Sequence, residues 1–178
     1  MTRLKVQIIL IITTFGISFA QNLEVKLKKK VIKTEKEWSE ILTPDQYGKN
    51  VATNPDYNGS VEYAVKMPGS EKDGSLWLPI DSKFPTASYD ELLDAYDRAD
   101  KDIVDKARKV LVKAVDGFAK DISTKYISVP NTTDFAIMFL PVEGIFAEVL
   151  REPGIMETLR SKYKIALTGP TTLSALLN

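Results

Sequence analysis

Six consecutive apolar residues, Phe135-Ala136-Ile137-Met138-Phe139-Leu140, lie between Asp134 and Pro141. A run this short, closed by a proline, fits a strand whose side chains are buried on both faces. The segments around it decide what kind of sheet can enclose such a strand.

Upstream, Asn50 to Asn58 is rich in turn residues, with Asn54-Pro55-Asp56 and Asn58-Gly59 as breakers. Val61-Glu62-Tyr63-Ala64-Val65-Lys66 then alternates. Val61, Tyr63 and Val65 share one face, and Glu62, Ala64 and Lys66 share the other, as in a strand with one buried face. After the loop Pro68 to Gly74, a second strand is expected over Leu76 to Phe84. Leu76, Leu78, Ile80 and Phe84 face one way, and Trp77, Pro79, Asp81 and Lys83 the other. Pro79 suggests an edge or a bulge. A hairpin centred on that loop sets Glu62 opposite Ile80 or Asp81.

Ser88 and Glu91 have the spacing of a capping box, which predicts a helix from Ser88 through Leu92, Leu93 and Tyr96. A second helix is expected over about Lys101 to Lys120. Ile103, Ala107, Val110, Leu111, Ala114 and Phe118 recur there at steps of three and four. Ile145 to Leu150 and Gly154 to Tyr163 also read as helical, divided by Pro153. Lys164 to Thr168 reads as a strand, and Thr171 to Leu177 as the start of a helix. The order predicts an α/β fold with a mixed sheet flanked by helices.

Composition narrows the chemistry. The chain contains no cysteine and no histidine. Zinc fingers, thiol nucleophiles, Ser-His-Asp triads and histidine metal clusters are therefore excluded. Catalysis would have to use carboxylates, lysine, hydroxyl groups, or a hard metal held by oxygen. Lysine plus arginine (24) equals aspartate plus glutamate (24), so no global basic field marks a nucleic-acid binder.

Residues 1–20 read as a signal peptide or, as the second reading, an uncleaved membrane anchor. Arg3 and Lys5 form a basic start, Val6 to Phe19 is apolar, and Ser18-Phe19-Ala20 places small residues at the cleavage positions. The apolar run is shorter than the ~20 residues that a spanning helix needs. Residues 21–41 follow as a linker rich in lysine, from Lys26 to Lys36. A DNA-contacting arm is the less favoured reading of these lysines.

Asp81 and Lys83, two apart on a strand, project from one face. With Glu62 on the neighbouring strand they form a pattern suited to magnesium. Two carboxylates can hold a divalent cation with water completing its shell, and a lysine can stabilise charge developing on phosphate oxygens. Taken alone, an Asp-x-Lys triplet reads by default as a surface ion pair.

The wider text is more specific. Leu42-Thr43-Pro44-Asp45-Gln46-Tyr47 and Trp77-Leu78-Pro79-Ile80-Asp81-Ser82-Lys83-Phe84-Pro85 resemble the core domain of the RmuC family. So do Tyr89-Asp90-Glu91-Leu92-Leu93, Met138-Phe139-Leu140-Pro141-Val142-Glu143 and Gly169-Pro170-Thr171-Thr172-Leu173. The resemblance covers residues 42–178. It implies a restriction-endonuclease-like fold of the PD-(D/E)xK class and a role in DNA recombination. It further implies a Mg²⁺- or Mn²⁺-dependent endonuclease- or exonuclease-like activity on DNA phosphodiesters. Glu62 and Asp81 then match the acidic metal ligands and Lys83 the motif lysine. Glu143 would be a supporting carboxylate or a helix-start carboxylate, the second being favoured.

Val31 to Trp38, with Leu42 to Tyr47, resembles instead the opening of exported B-type methionine sulfoxide reductases. That activity needs a cysteine, and this chain has none. The coiled coil and the Trp-Gly-Glu motif usual in the RmuC family are not found, and the family continues beyond Ala175 to Asn178. A chimera joined at Leu42 to Tyr47, with a nuclease-like domain truncated at its carboxyl end, is the simplest account. Two alternatives stand beside the nuclease reading: a non-catalytic DNA-binding or scaffold protein, and an inactive exported fragment. The leader points to export or a membrane, whereas the RmuC-like body points to a domain facing the cytoplasm.

Overall fold

Strand β1 (Tyr47–Val51) runs antiparallel to β2 (Val61–Pro68), and β2 runs antiparallel to β3 (Ser75–Ser82). β4 (Ala136–Phe139) lies parallel to β3, and β5 (Ile165–Thr168) parallel to β4. The sheet order is β1-β2-β3-β4-β5. Helices α1 (Thr86–Asp97) and α2 (Lys101–Tyr126) join β3 to β4. Helices α3 (Glu143–Leu150) and α4 (Ile155–Tyr163) join β4 to β5, and α5 (Pro170–Leu177) follows. This computed structural model describes residues 42–69 and 74–177. The expectations for the leader and linker lie outside the described residues, among which no helix is long and apolar enough to cross a membrane.

The chemistry of each segment explains its place. Parallel partners need a crossover connection, which is why the two parallel pairings are the ones bridged by helices. All four residues of β4 are buried, as the apolar run predicts for a strand covered on both faces. Ala136 and Met138 pair with Ile165 and Leu167. Together they pack against Leu111, Val115, Ala119 and Ile122 of α2, with Ile145, Val149 and Leu159 from the later helices. The other face carries Ile137 and Phe139, buried as well. On β2 both Val61 and Ala64 are fully buried, so the expected one-sided strand is buried in part on both sides.

Local devices fix the helix ends. The Asp100 carboxylate accepts from the backbone N–H groups of Asp102 (2.9 Å) and Ile103 (3.3 Å), capping α2. Gly154, at φ 76°, begins α4 after Pro153 in a conformation that costs glycine little. Between helices, Glu148 of α3 accepts from Tyr96 Oη of α1 (3.0 Å) and Arg108 Nε of α2 (3.1 Å). Arg108 also donates to Asp105 (2.9 Å).

Three differences from the sequence reading follow. β1 is an added strand. Helix α1 begins at Thr86 after Pro85 with no side-chain cap, so Ser88 lies inside the helix rather than capping it. Helix α2 extends to Tyr126, and its buried stripe is Val104, Leu111, Val115, Ala119 and Ile122. Of the expected stripe only Leu111 is fully buried, and Val110 is 47% exposed.

Candidate functional site

The hairpin register pairs Tyr63 with Ile80 and Ala64 with Pro79. One further step along the same register sets Glu62 opposite Asp81. Residues opposite one another share a face, and Asp81 is also level with Met138 on β4. Met138 belongs to the core beneath the helices, so Glu62 and Asp81 lie on the helix-covered side of the sheet. Asp81 is 4% exposed, whereas Glu62, near the start of β2, reaches solvent.

Lys83 follows the last residue of β3. Its backbone N–H donates to Phe139 O (2.9 Å), which extends the alignment with β4 past the strand end. Its ammonium lies 2.6 Å from Asp81 Oδ2. That contact has ion-pair distance without hydrogen-bond alignment, so the buried Oδ2 has no aligned donor. Burying a carboxylate is costly unless it is paired, and the Lys83 ammonium supplies that pairing charge at Asp81 Oδ2. The Glu62 carboxyl is held above the usual glutamate range, first by partial loss of water, then by the charge of Asp81, with Lys83 opposing.

The charge of Asp81 is felt at the carboxyl end of α2. Thr53 Oγ1 donates to Tyr126 O (2.9 Å) and Asn54 Nδ2 to Thr124 O (3.5 Å), fastening the segment after β1 to the last turn of the helix. Tyr57, from the turn that follows, meets Tyr126 edge-on with ring centroids 5.8 Å apart. The Tyr126 phenol is pushed upward by burial first and then by the charge of Asp81, with Glu62 a smaller contributor. Asp81 and, less strongly, Glu62 therefore act electrostatically on the last residue of α2.

Among the sequence candidates, Glu62, Asp81 and Lys83 come together here. Glu143 has a different visible task. It lies in the first turn of α3, and its Oε1 accepts from Thr171 N (2.6 Å) in the first turn of α5. A Cβ at Gly169 would lie 2.9 Å from Glu143 Oε2, so the glycine leaves this carboxylate its space. Tyr126 and Tyr57 were not legible as site residues. A tyrosine at a helix end carries no motif, and only the fold brings Tyr126 against Tyr57 and Thr53.

Among the described residues, no group of three or more potential ligands is placed to hold a metal. The donor set is a pair of carboxylates. One oxygen of that pair has an ammonium beside it but no aligned donor, and the second carboxyl is disfavoured as an anion first by burial and then by its neighbour. That chemistry fits one hard divalent cation whose remaining positions are filled by water. A cavity of about 880 Å³ lined by Phe135, Met156, Arg160, Lys164 and Leu167 lies elsewhere, and none of the candidate residues lines it.

The sequence profile described as the RmuC family matches residues 35–178. The chain is similar to the DNA recombination protein RmuC homologs of two strains of Xylella fastidiosa, Temecula1 and 9a5c. Each is 41% identical over 157 residues, covering 83% of this chain and 34% of the relative. The chain thus spans about a third of the length of these curated relatives. No solved structure matches it.

Proposed function

The chain belongs to the RmuC family, and on that premise we propose that its α/β domain is a restriction-endonuclease-like module acting on DNA phosphodiesters in recombination. The observation that carries the reading is the buried Asp81, 2.6 Å from Lys83 and next in register to Glu62. Glu62 and Asp81 would hold Mg²⁺ or Mn²⁺. The cation supplies charge that offsets the phosphate and makes nearby water more acidic. Lys83 keeps one ammonium beside the reacting phosphate, where it offsets charge gathering on the oxygens. The β2–β3 hairpin holds these groups on a rigid support, so little reorganisation is needed when DNA arrives.

The test is thermal unfolding with and without Mg²⁺ or Mn²⁺. Metal at about a hundred times its dissociation constant stabilises the folded state by about 2.7 kcal/mol, and the melting temperature should rise. Asp81→Ala should abolish the rise. An unchanged melt of the natural chain at saturating metal would sink the metal site.

A second reading is favoured by one observation, the absence of a third acidic ligand among the described residues. In that reading the module binds DNA without cutting it. Binding would then fall with salt while the DNA stays intact under metal.

A further inference from the structure

We infer that the cavity beside β5 and α4 binds an unpaired nucleotide of a DNA strand, with the base on the Phe135 ring and the phosphate at Arg160 and Lys164. The inference takes DNA as the ligand from the reading above and is independent of the acidic pair. The cavity measures about 880 Å³, within the range of sites that enclose a small ligand. Phe135 is 36% exposed and Met156 41%, and both line it. The Phe135 backbone is fixed, because its carbonyl accepts from Thr133 Oγ1 and the next residue opens β4. An aromatic ring held at the surface in this way suits stacking on a base. Arg160 and Lys164 supply positive charge to the same cavity, and neither forms an ion pair among the described residues. Two acidic residues, Glu157 and Asp134, line it as well. Glu157 lies in the first turn of α4, so about two turns of helix, roughly 10 Å, separate it from Lys164. Asp134 adjoins Phe135 and can accept from the exocyclic amino group of a stacked base.

Lys164 carries a second signal. It ends α4 in the left-handed region at φ 59°, where glycine is the usual residue. Its N–H donates to Arg160 O (3.1 Å), and its carbonyl accepts from Ala136 N (3.0 Å). The helix end and the start of β4 therefore hold a lysine in a backbone conformation that glycine adopts at less cost. The α4 dipole does not require it, since Arg160 and Lys162 already stand in the last turn. Lys162 lies over the Tyr163 ring, 4.7 Å from its centroid, and is not among the cavity residues.

The experiment measures binding of fluorescein-labelled, single-stranded oligo(dC) and oligo(dT) to the full chain by anisotropy. EDTA keeps divalent cations from the acidic pair, so cleavage does not intervene. Phe135→Ala should weaken binding about five- to a hundredfold, the worth of one stacked base. Phe135→Leu, which keeps apolar bulk without the ring, should weaken it too. Lys164→Gly should weaken binding and flatten the log–log salt slope by about 0.7, one phosphate contact on a single strand, while the melting temperature holds or rises. Lys162→Ala, the same charge change one turn position away, should bind as the natural chain does. Oligo(dC) should bind more tightly than oligo(dT), whose base has no exocyclic amino group; equal binding overturns the assignment of Asp134. If Lys162→Ala weakens binding as much as Lys164→Gly, the attraction is diffuse and the inference is overturned. Normal binding by the Phe135 and Lys164 variants overturns it as well. If dCMP displaces the strand as well as unlabelled oligo(dC) does, nucleotide for nucleotide, the cavity takes free nucleotides and the strand is the wrong ligand. An absence of binding in EDTA sinks this inference alone, since the metal-dependent melt that tests the acidic pair needs no DNA.

Discussion

Glu62 and Asp81 are two carboxylates with unequal access to water, and the difference has a pH signature. Glu62 ordinarily ionises near 4.5, and the fold holds it above that. A raised carboxyl favours the folded state while protonated. Its contribution is complete below 4.5 and is lost as pH climbs through the raised value. Glu62→Gln removes this loss. The melting temperatures of the natural chain and the variant should run together at low pH and diverge above 4.5, with the variant the more stable. Curves that stay parallel across this range would mean that neither burial nor Asp81 perturbs Glu62. Adding Mg²⁺ should shrink the gap, since a cation restores the charged form. The sequence made this pairing legible to within one residue, because the 61–66 alternation and the loop 68–74 left Ile80 or Asp81 opposite Glu62. The register ends at Tyr63 opposite Ile80, and one further step sets Glu62 opposite Asp81. Tyr126 is not legible in the sequence, since its contacts with Thr53 and Tyr57 are made by tertiary structure.

At the scale of elements, the helices show where periodicity is informative and where it is not. Helix α2 has apolar residues at 103, 104, 107, 110, 111, 112, 114, 115, 118, 119 and 122, an arc wider than any one face. The pattern identifies a helix, but the sheet decides which part of the arc is buried. The centre of the stripe therefore turned from Val110 and Ala114 towards Val115 and Ala119. β1 escaped notice for a related reason. Its five residues include Gly48 and the positive-φ Asn50, and its burial does not alternate. It is a strand because β2 offers it a hydrogen-bonding edge. The start of α2 depends on Asp100, whose carboxylate takes two N–H groups that the helix itself leaves unpaired. Asp100→Ala should cost about 1 kcal/mol, read as a lower urea midpoint with an unchanged slope. A shift within experimental error would show that the cap is redundant with solvent.

On the scale of the molecule, the mixed α/β architecture followed from the order of segments, and in the structure the parallel pairings are the ones bridged by helices. Strand order and depth of burial did not follow in the same way. Nothing in the text of β3 says that it is antiparallel to one neighbour and parallel to the other. That change of direction at β3 bears on how the chain reaches its final form. The β2–β3 hairpin joins neighbours along the chain, and hairpins close in microseconds. The β3–β4 pairing must wait for α1 and α2 to be laid across the gap, a long-range closure with a larger entropic cost. The two acidic groups should meet first, in water, and be covered afterwards. Val65→Ala in the hairpin is accordingly expected to act mainly by slowing refolding, and Leu167→Ala in β5 mainly by hastening unfolding. Stopped-flow measurements in urea separate the two arms. The reverse assignment would mean that the helical layer is the nucleus and that the acidic pair is assembled in an already dry interior.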